Sequence, residues 1–159
     1  MHHCNEHLER MANLVCEILL TEAPLDAPQK HPIEAGAMVE FWGIVRRLEN
    51  GGEIEGIEYE AHRQMAKHQL RQIAEQAADK FRLELIIIHH RIGFIAVGEP
   101  SLFLRVASAH RSEGFQASQW IVDELKKKVP IWKRARFKAG DDKRPASRPA
   151  MAGMAATNK

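Results

Sequence analysis

Cysteine is scarce in this 159-residue chain, with two residues, Cys4 and Cys16. They do not form a Cys-x-x-Cys pair, and two thiols are too few for a disulfide framework. A reducing compartment suits that usage. Long apolar runs are also missing. The most apolar stretch, around Leu85 to Ile88, falls far short of the roughly 20 residues a membrane helix needs. The opening Met1-His-His-Cys-Asn-Glu lacks the basic segment and apolar stretch of a secretory signal, so a cytoplasmic protein is expected. No sign of charge dominates: 23 Lys and Arg face 21 Asp and Glu, for a net +2. No global field then favours nucleic acid, and any cationic function must be local. The glycine-rich phosphate loops, the dinucleotide fingerprint and the Gly-x-Ser-x-Gly elbow are absent. His89 and His90 are adjacent in a strand-like segment and point to opposite faces, which disfavours one shared ion. His62 and His68 do not share a helical face, and the N-terminal His2, His3, Cys4 and His7 fit a frayed end better than a zinc site. No metal and no cofactor are expected.

What is present is a mixed pattern. Apolar positions from Leu8 to Leu19 fit a short helix or a helix-to-strand passage, and Pro24, Pro28 and Pro32 mark a loop. Alternation from Gly36 to Leu48, then Asn50-Gly51-Gly52, then a strand near Ile54 to Glu60, predicts a β-hairpin. Residues 64–81 read as a helix with Met65, Leu70, Ile73, Ala77 and Phe81 near one stripe. Strands follow at Leu83 to Arg91 and Leu102 to Ala107, separated by a turn at Val97 to Pro100. Ser112 is the expected N-cap of a second main helix that buries Phe115, Ser118, Ile121, Val122 and Leu125 and stops before Pro130. An extended segment, Ile131 to Lys138, completes the core. The order predicts an α+β sandwich with a mainly antiparallel sheet and two main helices. Residues 1–35 belong to the same domain as a 36–138 core, and 139–159, rich in Ala, Pro, Gly and basic residues, is expected to be a flexible tail.

The densest charge feature is the acid-free run from Lys126 to Lys138. Lys126, Lys127 and Lys128 stand where the helix dipole alone favours cations. Lys133 follows Pro130-Ile131-Trp132, and a lysine beside an aromatic and other cations is a candidate acid, base or nucleophile. Ser108-Ala109-His110-Arg111 lies where a strand hands over to a helix N-terminus, a natural place for an anion. Of Arg46 and Arg47, at most one can face a given pocket.

Taken together, Ser108-Ala-His-Arg-Ser, Phe115-Gln-Ala, Ile121-Val-Asp-Glu-Leu-Lys126 and Val129-Pro-Ile-Trp-Lys133 closely resemble the large, catalytic subunit of molybdopterin synthase, the MoaE family. Phe41-Trp-Gly-Ile-Val-Arg46, Ile57-Glu-Tyr-Glu-Ala61, His90-Arg-Ile-Gly93 and Val97-Gly-Glu99 match in order and spacing, over about residues 36–138. The resemblance implies a MoaE-like, hammerhead-type α/β sandwich. It implies transfer of sulfur from the thiocarboxylated C-terminal Gly-Gly of a small ubiquitin-like subunit to cyclic pyranopterin monophosphate, forming the molybdopterin dithiolene. It also implies a homodimer of large subunits within a heterotetramer. Carried over by position, Lys126 and Lys133 are the expected catalytic residues, and Arg46, His110 and Arg111 the expected substrate-binding ones. The chain departs from the family at Ala135, where Glu is common, at His62-Arg63, and in lacking a Gly-x-x-Trp segment after the core. Two other readings follow from the residues: a non-catalytic relative that still docks a ubiquitin-like tail, and a nucleic-acid binder using the 126–138 run, which the small net charge disfavours.

Overall fold

The computed structural model describes residues 2–140 and 150–151. Helix α1 (His2–Asn13) leads directly into β1 (Val15–Thr21), the helix-to-strand passage expected there. Next come β2 (Ala37–Ile44), β3 (Leu48–Glu49), β4 (Gly52–Ala61), α2 (Arg63–Phe81), β5 (Leu85–Arg91), β6 (Gly93–Ala96), β7 (Pro100–Ser108), α3 (Arg111–Lys128), β8 (Ile131–Phe137) and β9 (Ala150–Met151). The expected flexible tail falls mainly outside the described residues; Ala150–Met151 add a short antiparallel strand beside Trp132 and Lys133.

The strands form two sheets. One is ordered β1-β5-β7-β2; the other runs β3-β4-β8-β9, with β6 also paired to β4. Pairing is antiparallel throughout except between β1 and β5. This is the expected mixed, mainly antiparallel architecture, divided between two sheets.

The predicted hairpin is corrected in one respect. Its turn is there, with Asn50 and Gly51 at φ of 50° and 81°, but only Leu48–Glu49 pairs back onto β4. Strand β2 pairs instead with β7, setting Glu40 opposite Arg105 and Trp42 opposite Phe103. Between the two, Val45 is buried and bonded through its backbone to Glu99 and Gly98, so the chain crosses from one sheet to the other there.

Strand β5 is buried on both faces. Ile86 and Ile88 join the main core with Leu70, Ile73 and Ala77 of α2 and Ala117, Ile121 and Leu125 of α3. The alternate residues Leu85 and Ile87 pack with Phe103 and Ala107 under Leu25, Ala27 and Ala35 of the proline-rich loop. Buried Arg105 fixes that loop, donating to the Pro28 and Lys30 carbonyls and, at 2.9 Å, to Glu40. Two predicted core positions prove exposed, Met65 and Phe115. On each helix small residues share the buried face with the large ones: Ala66, Ala74 and Ala78 on α2, Gly114 and Ala117 on α3.

Candidate active site

Helix α2 starts at His62, whose Nδ1 accepts from the Met65 N–H at 3.3 Å. Helix α3 starts at His110 rather than at Ser112, and no side chain caps it. The preceding turn is set differently. Ser108 donates through Oγ to the His110 carbonyl at 2.7 Å, and Gly36 lies so close to the Ala109 carbonyl that a Cβ there would collide with it. Ser112 therefore falls within the first turn, where it accepts from Gln116. His110 and Arg111 are exposed at this end.

At the other end of α3, Val129 closes the helix through its N–H to Leu125, and β8 begins two residues later. The His62 N–H reaches the Pro130 carbonyl at 3.3 Å, tying this turn to the start of α2. Lys126 is exposed in the last helical turn. Lys127 and Lys128 pair with Glu124, holding its carboxyl below its usual range, whereas Lys126 makes no ion pair among the described residues.

Lys133 sits inside β8 opposite Tyr59 of β4. Its Nζ donates to Glu49 Oε1 at 2.7 Å, and Arg46 Nη2 stands 3.6 Å from Glu49 Oε2. The Lys133 and Glu49 side chains are 19% and 11% exposed, while Arg46 is 76% exposed. Arg46 and Lys133, far apart in sequence, thus meet at one carboxylate. Arg47, in the bend before β3, turns elsewhere, to Glu53 at 3.5 Å. Beneath this group, burial pushes the Tyr59 hydroxyl up in pKa, with the Glu49 charge adding and a Ser101 hydrogen bond opposing. His90 stacks edge-on to Tyr59 at 5.4 Å, and burial pushes it down to about 4 against a hydrogen bond to the Arg91 carbonyl.

The basic run is less free than its composition implies. Arg134, Arg136 and Lys138 pair with Glu60, Glu58 and Glu53 of β4, and Arg136 also covers the Phe94 ring at 4.1 Å. Lys133 is distinct from them: its side chain is on the Glu49 side, toward the core. The partner of Lys133 is therefore a carboxylate, not the neighbouring tryptophan, because Trp132 points to the opposite face of the strand.

The predicted residues do not form one cluster within a single chain. Arg46 and Lys133 come together at Glu49, while Lys126 stands in the last turn of α3, before the turn that leads into β8. His110 and Arg111 lie at the far end of α3, where fifteen residues of helical rise separate Arg111 from Lys126 by about 22 Å. Glu49 was not among the predicted residues. Its only local signal is an acid beside the Asn-Gly-Gly turn, and its partner is 84 positions away.

The family model described as MoaE protein matches residues 19–128. The chain belongs to the MoaE family. A molybdopterin synthase catalytic subunit from Thermoplasma volcanium is 40% identical over 101 residues, spanning 64% of this chain and 74% of that protein. A crystal structure of molybdopterin synthase from Staphylococcus aureus superposes with a TM-score of 0.71 at 31% identity, covering 78% of this chain and 92% of that one. A chain in the complex of subunits 1 and 2 of molybdopterin-converting factor from Helicobacter pylori shares the fold, with a TM-score of 0.59 at 16% identity over 86% of this chain and 89% of that one. In this MoaE chain the matched segment ends at α3, so β8 and Lys133 lie just beyond it. Among the described residues there is no group of three or more His, Cys, Asp or Glu placed to hold a metal, and no helix is long and apolar enough to cross a membrane.

Proposed function

We propose that this chain is the catalytic subunit of a molybdopterin synthase. It transfers sulfur from the thiocarboxylated Gly-Gly end of a small ubiquitin-like subunit to cyclic pyranopterin monophosphate, building the dithiolene of molybdopterin. The observation that carries the reading within the site is the convergence of Arg46 and Lys133 on Glu49. Both reactants are anions, and Lys133, held largely out of water, binds an anion more strongly than a cation in open water does. Arg46 offers an exposed guanidinium suited to a phosphate. Lys133 and Lys126 supply N–H donors to the acyl group, and either can move a proton as sulfur leaves. The sulfur arrives on the partner, so the chain needs no sulfur-carrying cysteine and no cofactor. Cys16 fits that division of labour, since burial raises its thiol and disfavours the thiolate. The cytoplasm is the compartment this reading assigns, in keeping with the scarce cysteines.

His110 and Arg111 serve the substrate across a homodimer in this reading, each bringing its cations to the Lys133 end of the other copy. Neutralisation of Arg134, Arg136 and Lys138 by β4 glutamates counts against a nucleic-acid surface.

The test is reconstitution with a thiocarboxylated small subunit and the pyranopterin, scoring dithiolene formation. Product is expected from the wild-type chain. Binding of the small subunit without product, under conditions where an authentic synthase turns over, would identify a non-catalytic relative. In the active system, Lys133→Ala abolishes turnover, and Lys126→Ala lowers it by about 100-fold or more.

A further inference from the structure

We propose that Glu49 is a positioning residue for Lys133: from the β3–β4 hairpin, its carboxylate fixes the lysine amine within the site and draws Arg46 to the same point. Five observations carry this. Among the described residues, Glu49 is the sole carboxylate in the buried class. A buried carboxylate is costly unless it is paired, and its pair at 2.7 Å is the candidate catalytic lysine.

The hairpin also breaks the usual order of inside and outside. Leu48 is 50% exposed, while its neighbour Glu49 is 9% exposed. Stability alone would bury the leucine and solvate the glutamate. A local rule broken next to a candidate site is the pattern expected of a functional constraint. The turn holding Glu49 in place is tight, with Asn50 and Gly51 both at positive φ and Glu49 opposite Gly52.

The surroundings leave Glu49 as the anion that Lys133 meets. Tyr59 lies across from Lys133 on β4, and its hydroxyl is bonded to Ser101 of β7. His90 of β5, beyond Tyr59, is uncharged at neutral pH because burial holds it down to about 4. Arg46 adds a cation from the segment before the hairpin. An ammonium has three N–H donors. With one committed to Glu49, the direction of the other two is set, and these are the donors available to an acyl or phosphate oxygen.

The activity arm of the test rests on the sulfur-transfer reading; the labelling arm does not. In the full chain with its small subunit, Glu49→Gln is expected to lower kcat by about 10- to 100-fold, as displacement of a reacting group does. The KM for the pyranopterin should move by less than about threefold, because Arg46 loses its partner but keeps its charge and its exposure to the substrate. Glu49→Asp, which keeps the charge, should recover part of kcat. Independently of turnover, acetic anhydride labelling read by mass spectrometry reports each amine. An amine held in a hydrogen bond to a carboxylate must leave that contact before it can attack the anhydride. Lys133 should therefore label several-fold faster in folded Glu49→Gln than in wild type, while Lys126 labels at an unchanged rate. Where Glu49→Gln does not fold, the same measurement on Glu49→Asp replaces it, with a smaller rise at Lys133 expected from the shorter reach. Unchanged Lys133 labelling in the folded variant would overturn the proposal, as would equal acceleration at Lys126. A wild-type chain that forms no dithiolene overturns the functional reading alone, and the labelling result still decides Glu49.

Discussion

Buried between sheet and helices, His90 carries no catalytic assignment, yet it makes the protein acid-sensitive in a defined window. Its imidazole is packed against Tyr59 and hydrogen-bonded to the Arg91 carbonyl at 2.8 Å, and burial pushes its pKa down to about 4. In the unfolded chain a histidine titrates near 6.5. Between those values the unfolded state binds a proton that the folded state refuses. Stability is therefore full above about pH 6.5 and falls as pH drops toward 4, by about 2 kcal/mol between pH 7 and pH 5. The carboxyl of Glu17, held down mainly by Lys30, behaves differently: its contribution is present above the ordinary carboxylate range and is lost as pH falls through its lowered value. The interval from pH 7 to 5 thus lies above the Glu17 transition, and a His90 variant separates this histidine from the others. Urea unfolding at these two pH values should show the loss in wild type, and His90→Gln, neutral at both, should remove most of it. An equal pH slope in the variant would refute the assignment to His90.

At the scale of elements, two glycines separate close approach from backbone conformation. A Cβ at Gly36 would strike the Ala109 carbonyl, one residue from the Ala37–Ser108 pairing and two from Arg111. Gly98 has positive φ and open space around it. Gly36→Ala should cost about 1–3 kcal/mol by overpacking and also lower kcat/KM, because relief requires the start of α3 to move. Gly98→Ala should cost about 1 kcal/mol through its φ alone and leave kcat/KM unchanged. Thermal unfolding together with steady-state kinetics separates the two, and normal kinetics in Gly36→Ala would show that the α3 entrance does not position Arg111. These elements also show what sequence makes legible. The Asn50-Gly51 turn was readable because its chemistry acts within four residues. The partner of β2 was not, because it is chosen by Phe103 and Arg105, about sixty residues later, and by burial on both sheet faces. The alternation along β2 does hold: Glu40 and Trp42 share the side that meets Arg105 and Phe103. The capping side chain of Ser112 points to a later start for α3, while the actual start is set by the Ser108–His110 contact and the approach of Gly36. For the site, matching motifs placed Arg46 and Lys133, which do meet. Glu49 had no such signal, since a glutamate beside a turn ordinarily reads as solvated.

For the whole molecule, the length of α3 is decisive. Arg111 and Lys126 stand at opposite ends of an 18-residue helix, about 22 Å apart by rise. A single cyclic pterin phosphate is much smaller than that, so one copy cannot apply both ends to it. If both sets act on one substrate, they come from two copies related by symmetry, and each site is complete only in the assembly. Subunit mixing tests this directly. Lys133→Ala and Arg111→Ala chains are each inactive as homodimers in this arrangement. In a mixed dimer one site carries both lesions, while the other combines the intact Lys133 of one chain with the intact Arg111 of its partner. With random pairing half of the dimers are mixed, so about one site in four is restored. Refolding or co-expressing the two variants in equal amounts should return about a quarter of the wild-type kcat per chain, with the wild-type KM. Sites contained within single chains would give no recovery at any mixing ratio, because every chain would keep its own lesion.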